Sequence, residues 1–131
     1  MRITDESSLL KYFSQIPNII FELGLKANQL AVYFAIKRAA GDNGGCTKSL
    51  ANLAKSAGVH PDTLREIKKS LAEINHILKK PLIKISERWS ELGDQDTDLI
   101  NIVDIWEENF KYFMVVGKTG GGSPEKPEGG G

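Results

Sequence analysis

Leu50-x-x-Leu53-Ala54-x-x-x-Gly58-Val59-x-x-x-Thr63-Leu64-x-x-Ile67-x-x-x-Leu71 is the stretch on which the reading of this chain turns. Leu50, Leu53 and Ala54 recur at helical spacing and stop at Gly58, a residue that ends helices readily because it accepts a left-handed backbone. Three residues later a second helix begins, with Pro61 in its first turn and Asp62 at the positive end of its dipole. Leu64, Ile67 and Leu71 lie along one side of that second helix, in a stripe that the spacing extends to Ile74. Two short helices joined this closely must cross tightly. A small residue at Ala54 and a glycine at the turn meet that requirement, and the apolar stripe pins the second helix by one face. The opposite face then carries Asp62, Arg65, Glu66, Lys69 and Glu73, and it points outward.

Upstream of this pair, residues 27–40 read as a helix, with Leu30, Tyr33, Phe34 and Ile36 at three- and four-residue spacing and Lys37 and Arg38 near its C-terminal end. The run Gly41-Asp42-Asn43-Gly44-Gly45 marks a turn, and Thr47 is the expected N-cap of the helix that follows. Residues 5–15 predict a short amphipathic helix with Leu9, Leu10 and Phe13 on one side, ended by Pro17. Ile19, Ile20, Phe21 and Leu23 form an apolar connector closed by Gly24.

Downstream, Pro81 bars continuation of the helix and the period turns from helical to extended. Residues 82–88 and 99–105 are rich in β-branched side chains, and the polar stretch between them, with Gly93, reads as the turn of a hairpin. Residues 106–113 add a last short helix or an extended segment on the core. After Val116 the sequence becomes a Gly/Pro-rich tail or linker through residue 131. The expected fold is mainly α (α+β). It is a winged helix-turn-helix over residues 1–116, a helical core followed by a C-terminal two-stranded β-hairpin wing.

The bulk numbers fit one domain. The chain has 131 residues, enough for one modest core. No apolar run reaches the roughly 18 residues of a membrane span, and the polar start carries no signal segment, so the cytoplasm is the expected location. Net charge is zero, from 17 basic and 17 acidic residues. Its distribution is uneven: residues 26–88 hold 12 Lys/Arg against 5 Asp/Glu, whereas residues 1–25 hold 2 against 3 and residues 89–131 hold 3 against 9. A basic middle of +7 between acidic ends is the electrostatic footprint that a nucleic-acid binder needs.

Enzymatic chemistry finds little support. The single cysteine, Cys46, excludes an intrachain disulfide and a cysteine-based zinc cage, and His60 and His76 make no ligand pair. Gly117-Lys118-Thr119 lacks the upstream glycine of a phosphate-binding loop. Asp94-x-Asp96-x-Asp98 has the spacing of a calcium loop, but Leu99 and Ile105 stand where such a loop needs glycine and glutamate. No cofactor or metal is expected.

The expected activity is binding to double-stranded DNA. Arg65 and Lys69 are the first candidates for base-edge or phosphate contacts, with His60 and Thr63 at the helix start. Lys68 lies near the buried side and is placed to snorkel toward a phosphate. Lys48 and Ser49, before the first helix of the pair, and Lys84 and Arg88, on the first wing strand, complete the set. Asp62, Glu66 and Glu73 repel phosphates, although a carboxylate can accept from cytosine N4. The acidic tip of the hairpin keeps away from the backbone. A second reading is a protein-interaction or oligomerisation module with little DNA affinity, which suits the neutral total charge and the apolar ends around Tyr12, Phe13 and residues 106–113.

Further stretches carry a resemblance. Ile16-Pro17-Asn18-Ile19-Ile20, Leu23-Gly24-Leu25, Lys37-Arg38-Ala39-Ala40-Gly41, Cys46-x-x-Ser49, Lys68-Lys69-x-Leu71 and Ile102-Val103-Asp104-Ile105-Trp106-x-x-Asn109-Phe110, together with the central pattern, resemble bacterial helix-turn-helix domain proteins. They are similar to the N-terminal winged-helix domains of phage and plasmid replication initiators or replisome organisers, over roughly residues 13–113. The resemblance implies DNA binding in replication or transcription regulation, replication or transcription proteins as further partners, and a variable region behind a linker. Homodimerisation is a further expectation, from the apolar terminal segments. Two departures stand out: His60-Pro61-Asp62 replaces a serine followed by small or basic residues, and residues 75–80 are an added stretch before the wing that either lengthens the helix or forms a loop.

Overall fold

The computed structural model describes residues 1–9, 11–41, 45–46, 50–86 and 99–118. A short 3-10 helix, Asn18–Glu22, leads into helix α1 (Ala27–Ala40), strand β1 (Gly45–Cys46), helices α2 (Leu50–Ala57) and α3 (Pro61–Leu71), strands β2 (Ile83–Ser86) and β3 (Leu99–Ile102), and helix α4 (Trp106–Lys118). This is a winged helix-turn-helix fold. The expected order of the three central helices and the two hairpin strands stands.

The joint between α2 and α3 is short because its backbone groups close on themselves. Gly58 takes φ 74°, the left-handed conformation expected of it. Its N–H donates to the Lys55 carbonyl at 3.2 Å and the Val59 N–H reaches back to the Ala54 carbonyl at 3.0 Å. These are the two bonds of a Schellman closure, which satisfy carbonyls that the helix end would otherwise orphan. Val59 and His60 complete the turn. His60 then caps α3, its Nδ1 accepting from the Asp62 N–H at 3.1 Å while its carbonyl accepts from the Leu64 N–H at 2.9 Å. Pro61 sits at the first helical position, where its missing N–H costs nothing.

The core gathers one face of each element. Ile20, Val32, Ile36, Leu64 and Ile83 are fully buried, and Leu53, Ala54, Leu71, Leu82 and Ile105 nearly so. Tyr33 joins them from α1, and desolvation pushes its phenol up to about 12, so it behaves as a neutral core side chain. Ala54 beside Leu53 gives α2 the small surface that a close crossing with α3 requires.

The sheet has one more strand than the expected hairpin. Its order is β1-β3-β2, all antiparallel, with Gly45 opposite Asn101, Cys46 opposite Ile100, and Ile83 opposite Ile102. β1 precedes the helix-turn-helix in sequence and pairs with the free edge of β3, covering an edge that would otherwise be exposed. The intervening hairpin tip and the expected N-cap Thr47 lie outside the described residues.

Two local expectations are corrected and an open one is decided. Residues 5–15 do not form the amphipathic helix: none of the described residues before Asn18 is helical, and Leu9, Tyr12 and Phe13 are exposed. The Asp5 carboxylate accepts instead from the Ser7 N–H at 2.9 Å and from the Ser7 hydroxyl, a local turn that competes with helix. Ile74 leaves the apolar stripe and is 72% exposed, because α3 ends at Leu71 and the chain turns away. Residues 75–80 form a loop, not a longer helix. Asn75 and Lys80 pair as an isolated bridge, and the Asn75 side chain accepts from the Ile77 and Leu78 N–H groups at 2.9 and 3.1 Å.

Residues 106–113 are helical, and α4 runs on through Gly117 and Lys118, two residues past the expected domain end. Residues 119–131 lie outside the described set. Asp104 caps α4 through the Trp106 N–H at 3.0 Å. The Asn109 carboxamide accepts from the Ile19 N–H at 2.9 Å and Tyr112 donates to Glu22 at 3.2 Å, so α4 docks on the 3-10 helix. Lys80 bridges the loop after α3 to α4, reaching Glu108 at 2.8 Å and the Asp104 carbonyl at 3.1 Å.

Two expected outcomes follow from these contacts. Gly58→Ala meets no neighbouring atom, so its cost is the left-handed backbone alone, about 1 kcal/mol by urea denaturation, with Gly58→Asn costing less. The Lys80 ammonium holds the Glu108 carboxyl below the usual carboxylate range, so the pair stabilises the fold above that range and loses its effect as pH falls through it. Lys80→Met therefore lowers stability by about 0.5–1 kcal/mol near neutral pH. The difference from the parent fades as pH falls below the usual carboxylate range and Glu108 takes up its proton, and a difference that persists once the carboxyl is protonated contradicts the pairing.

Candidate nucleic-acid interface

α3 presents the outward face that its periodicity requires. Asp62, Arg65, Glu66 and Lys69 are all exposed, on the side away from Leu64, Ile67 and Leu71, and Glu73 is exposed just past the end of the helix. The apolar face anchors the helix along its length. A second device fixes its position: the Gln29 amide donates to the Ser70 hydroxyl at 3.1 Å, and that hydroxyl donates to the Ile67 carbonyl at 2.7 Å. The Gln29 side-chain oxygen meanwhile accepts from the Lys26 N–H at 2.8 Å and caps α1. One side chain thus ties the start of α1 to the end of α3. The sequence shows Gln29 only as an exposed polar residue of a helix start, so this role had no periodic signal.

Arg65 does not stand alone. Its guanidinium contacts the Asp62 carboxylate at 2.7 Å, one turn back on the same face, with 60% and 75% of the two side chains exposed. The pair is a surface ion pair worth little to stability. It does orient the guanidinium along the helix axis and offsets part of its charge. Lys69 continues the same face one turn on. His60 sits at the start with its side chain 71% exposed, and because Nδ1 accepts the Asp62 N–H, Nε2 is the nitrogen left to face outward. Thr63 is half-buried in the first turn.

Of the other expected contact residues, Lys84 is exposed on β2 opposite Asn101. Lys68 is buried at 9% exposure, on the near-buried side expected of it, because its position beside Ile67 and four residues after Leu64 turns it to the core side of α3. It belongs to the packing of the helix and not to its outward face. Lys48, Ser49 and Arg88 lie outside the described residues, as do Asp94, Asp96 and Asp98. The structure thus brings His60, Thr63, Arg65 and Lys69 together on one helix and sets Lys84 on the sheet that follows.

The basic middle of the chain is also less concentrated than its count implies. Lys37 lies over the Trp106 ring, 5.9 Å from its centroid, and Lys80 pairs with Glu108. Both serve α4. Among the described residues no group of three His, Cys, Asp or Glu side chains could hold a metal ion. No helix among them is long and apolar enough to cross a membrane.

Residues 23–77 match the family model of a helix-turn-helix domain. The matched segment runs from the end of the 3-10 helix through α1, α2 and α3 into the loop after α3, which is the part of the fold that forms the helix-turn-helix. That segment is therefore a helix-turn-helix domain, a class of fold that points to DNA binding, and β2, β3 and α4 extend it. Neither the curated proteins nor the solved structures give a match to the chain.

Asp62→Asn separates the two tasks of this carboxylate. Thermal unfolding should register a loss of about 0.3–1 kcal/mol, the contribution of a negative charge in the first turn of a helix. Duplex affinity should rise several-fold at low salt, since Arg65 is released and one repulsive charge is gone.

Proposed function

We propose that the chain is a double-stranded DNA-binding domain with α3 as its recognition helix, acting in replication initiation or transcriptional regulation of a phage, plasmid or other mobile element in the bacterial cytoplasm. The observation that carries this reading is the match of residues 23–77 to a helix-turn-helix domain, on a helix whose outward face holds Arg65 and Lys69. In such a geometry the N-terminal half of α3 enters the major groove and its apolar face stays on the core. Arg65 is long enough to donate both guanidinium arms to guanine O6 and N7, exchanging the Asp62 carboxylate for the base edge. His60 Nε2 and the Thr63 hydroxyl stand at the helix start, where the groove wall passes. Lys69 and Lys84 neutralise phosphates, and Lys48, Ser49 and Arg88 extend the same contact if their segments flank it. No cofactor takes part and no catalytic step is assigned. Replication or transcription proteins are the further partners of this reading.

A second reading has one observation in its favour. The outward face of α3 sets Asp62 and Glu66 against Arg65 and Lys69, a balanced surface that also suits a protein-interaction module with little intrinsic DNA affinity. Binding to random-sequence and genomic duplexes at about 50 and about 200 mM salt separates the two. A DNA-binding domain binds at low salt and weakens steeply at the higher salt. Arg65→Ala/Lys69→Ala should then lower affinity by about 2–4 kcal/mol and reduce the salt slope by about 1 to 2. Absence of duplex binding at the lower salt supports the interaction module instead.

A further inference from the structure

α4 is held to the domain by one face and leaves another bare. Asn109, Tyr112 and Glu108 make its contacts to the 3-10 helix and to Lys80. Trp106, Phe110, Phe113 and Met114 remain 44%, 65%, 40% and 41% exposed. Positions 106, 110, 113 and 117 follow a four-three-four spacing, the seam of a helix that packs lengthwise on another helix. Three exposed aromatic residues on one 13-residue helix are more apolar surface than the docking of α4 explains.

We propose that this face is a homodimer surface, covered by α4 of a second copy packed antiparallel to it. The helix is self-complementary in that arrangement. Setting Phe110 against Phe113 of the second copy places Trp106, the largest side chain of the stripe, opposite Gly117, which has none. A parallel copy would instead set Trp106 against Trp106. The two helix dipoles are also opposed in that pairing. Such a contact is isologous, the same patch on both subunits about a two-fold axis. The Lys37 ammonium over the Trp106 ring holds that ring in place on its inner side. A helix of this length is about 20 Å long. The contact therefore falls in the weak, reversible size class, under roughly 1,200 Å² in total.

Sedimentation equilibrium on the full chain, from about 5 to about 500 µM, tests this directly. The average mass should climb from that of one chain toward twice that value, and Phe110→Glu should hold it at one chain with an unchanged circular dichroism spectrum. A Phe110→Cys/Phe113→Cys variant in a Cys46→Ser background tests the register. Mild oxidation should give a covalent dimer, because each new thiol faces the other position of its partner. A single-chain mass across the whole range overturns the proposal, and so does association that a folded Phe110→Glu variant leaves intact. Failure of the double-cysteine variant to cross-link while the parent dimerises overturns the antiparallel pairing.

Discussion

The close crossing of α2 and α3 is the constraint on which the rest of the molecule depends. A turn of three residues leaves no slack, so the backbone must reverse at once, and Gly58 at φ 74° is the position where it does so. The Schellman bonds to Lys55 and Ala54, and the His60 cap that follows within two residues, satisfy the helix ends on both sides of the turn. With the ends closed, Leu53 and Ala54 on one helix and Leu64 and Ile67 on the other can meet in the core. The outward face of α3 is a consequence of that burial. It is rigid because Leu64, Ile67, Leu71 and the Gln29–Ser70 bond hold the helix from behind.

That rigid face joins fold to function. A helix that is to enter a groove must present its side chains without reorganising, and α3 does so with its anchoring confined to the far side. Its charge is mixed. The Asp62–Arg65 pair keeps the guanidinium oriented while lowering the attraction of the face for any phosphate. A surface of this kind favours partners that supply specific acceptors over those that supply only negative charge. The basic residues that the sequence concentrates in the middle of the chain divide in the same way. Arg65, Lys69 and Lys84 face outward, whereas Lys37 and Lys80 fasten α4 and Lys68 packs with the core.

Much of the architecture was legible in the sequence because it follows from periodicity. α1, α2 and α3 each bury a stripe at helical spacing, and β2 and β3 replace that period with β-branched runs bounded by a proline and a polar stretch. What escaped depends on contacts between residues far apart in the chain. β1 is two residues within a glycine-rich turn, and it becomes a strand only because β3 offers an edge to pair with. The bonds from Gln29 to Ser70 and from Lys80 to Glu108 join positions whose sequence neighbourhoods carry no sign of one another. Residues 5–15 have the apolar spacing of a helix but find no surface on which to bury Leu9 or Phe13, and Asp5 makes a local turn instead. Ile74 matched the stripe of α3 by spacing alone and lies beyond the point where the helix stops. On the candidate interface, the exposed positions of α3 followed from the same periodicity, whereas the pairing of Arg65 with Asp62 required the geometry of the helix surface.

The assignment of α3 as the recognition surface is tested most directly by backbone amide chemical shifts of the isotopically labelled chain, recorded as a short duplex is added. The largest changes are expected at residues 60–69, with Arg65 and Lys69 among them, and smaller ones on β2 around Lys84. Shifts confined to α4, or none at all under conditions of low salt, would contradict the assignment.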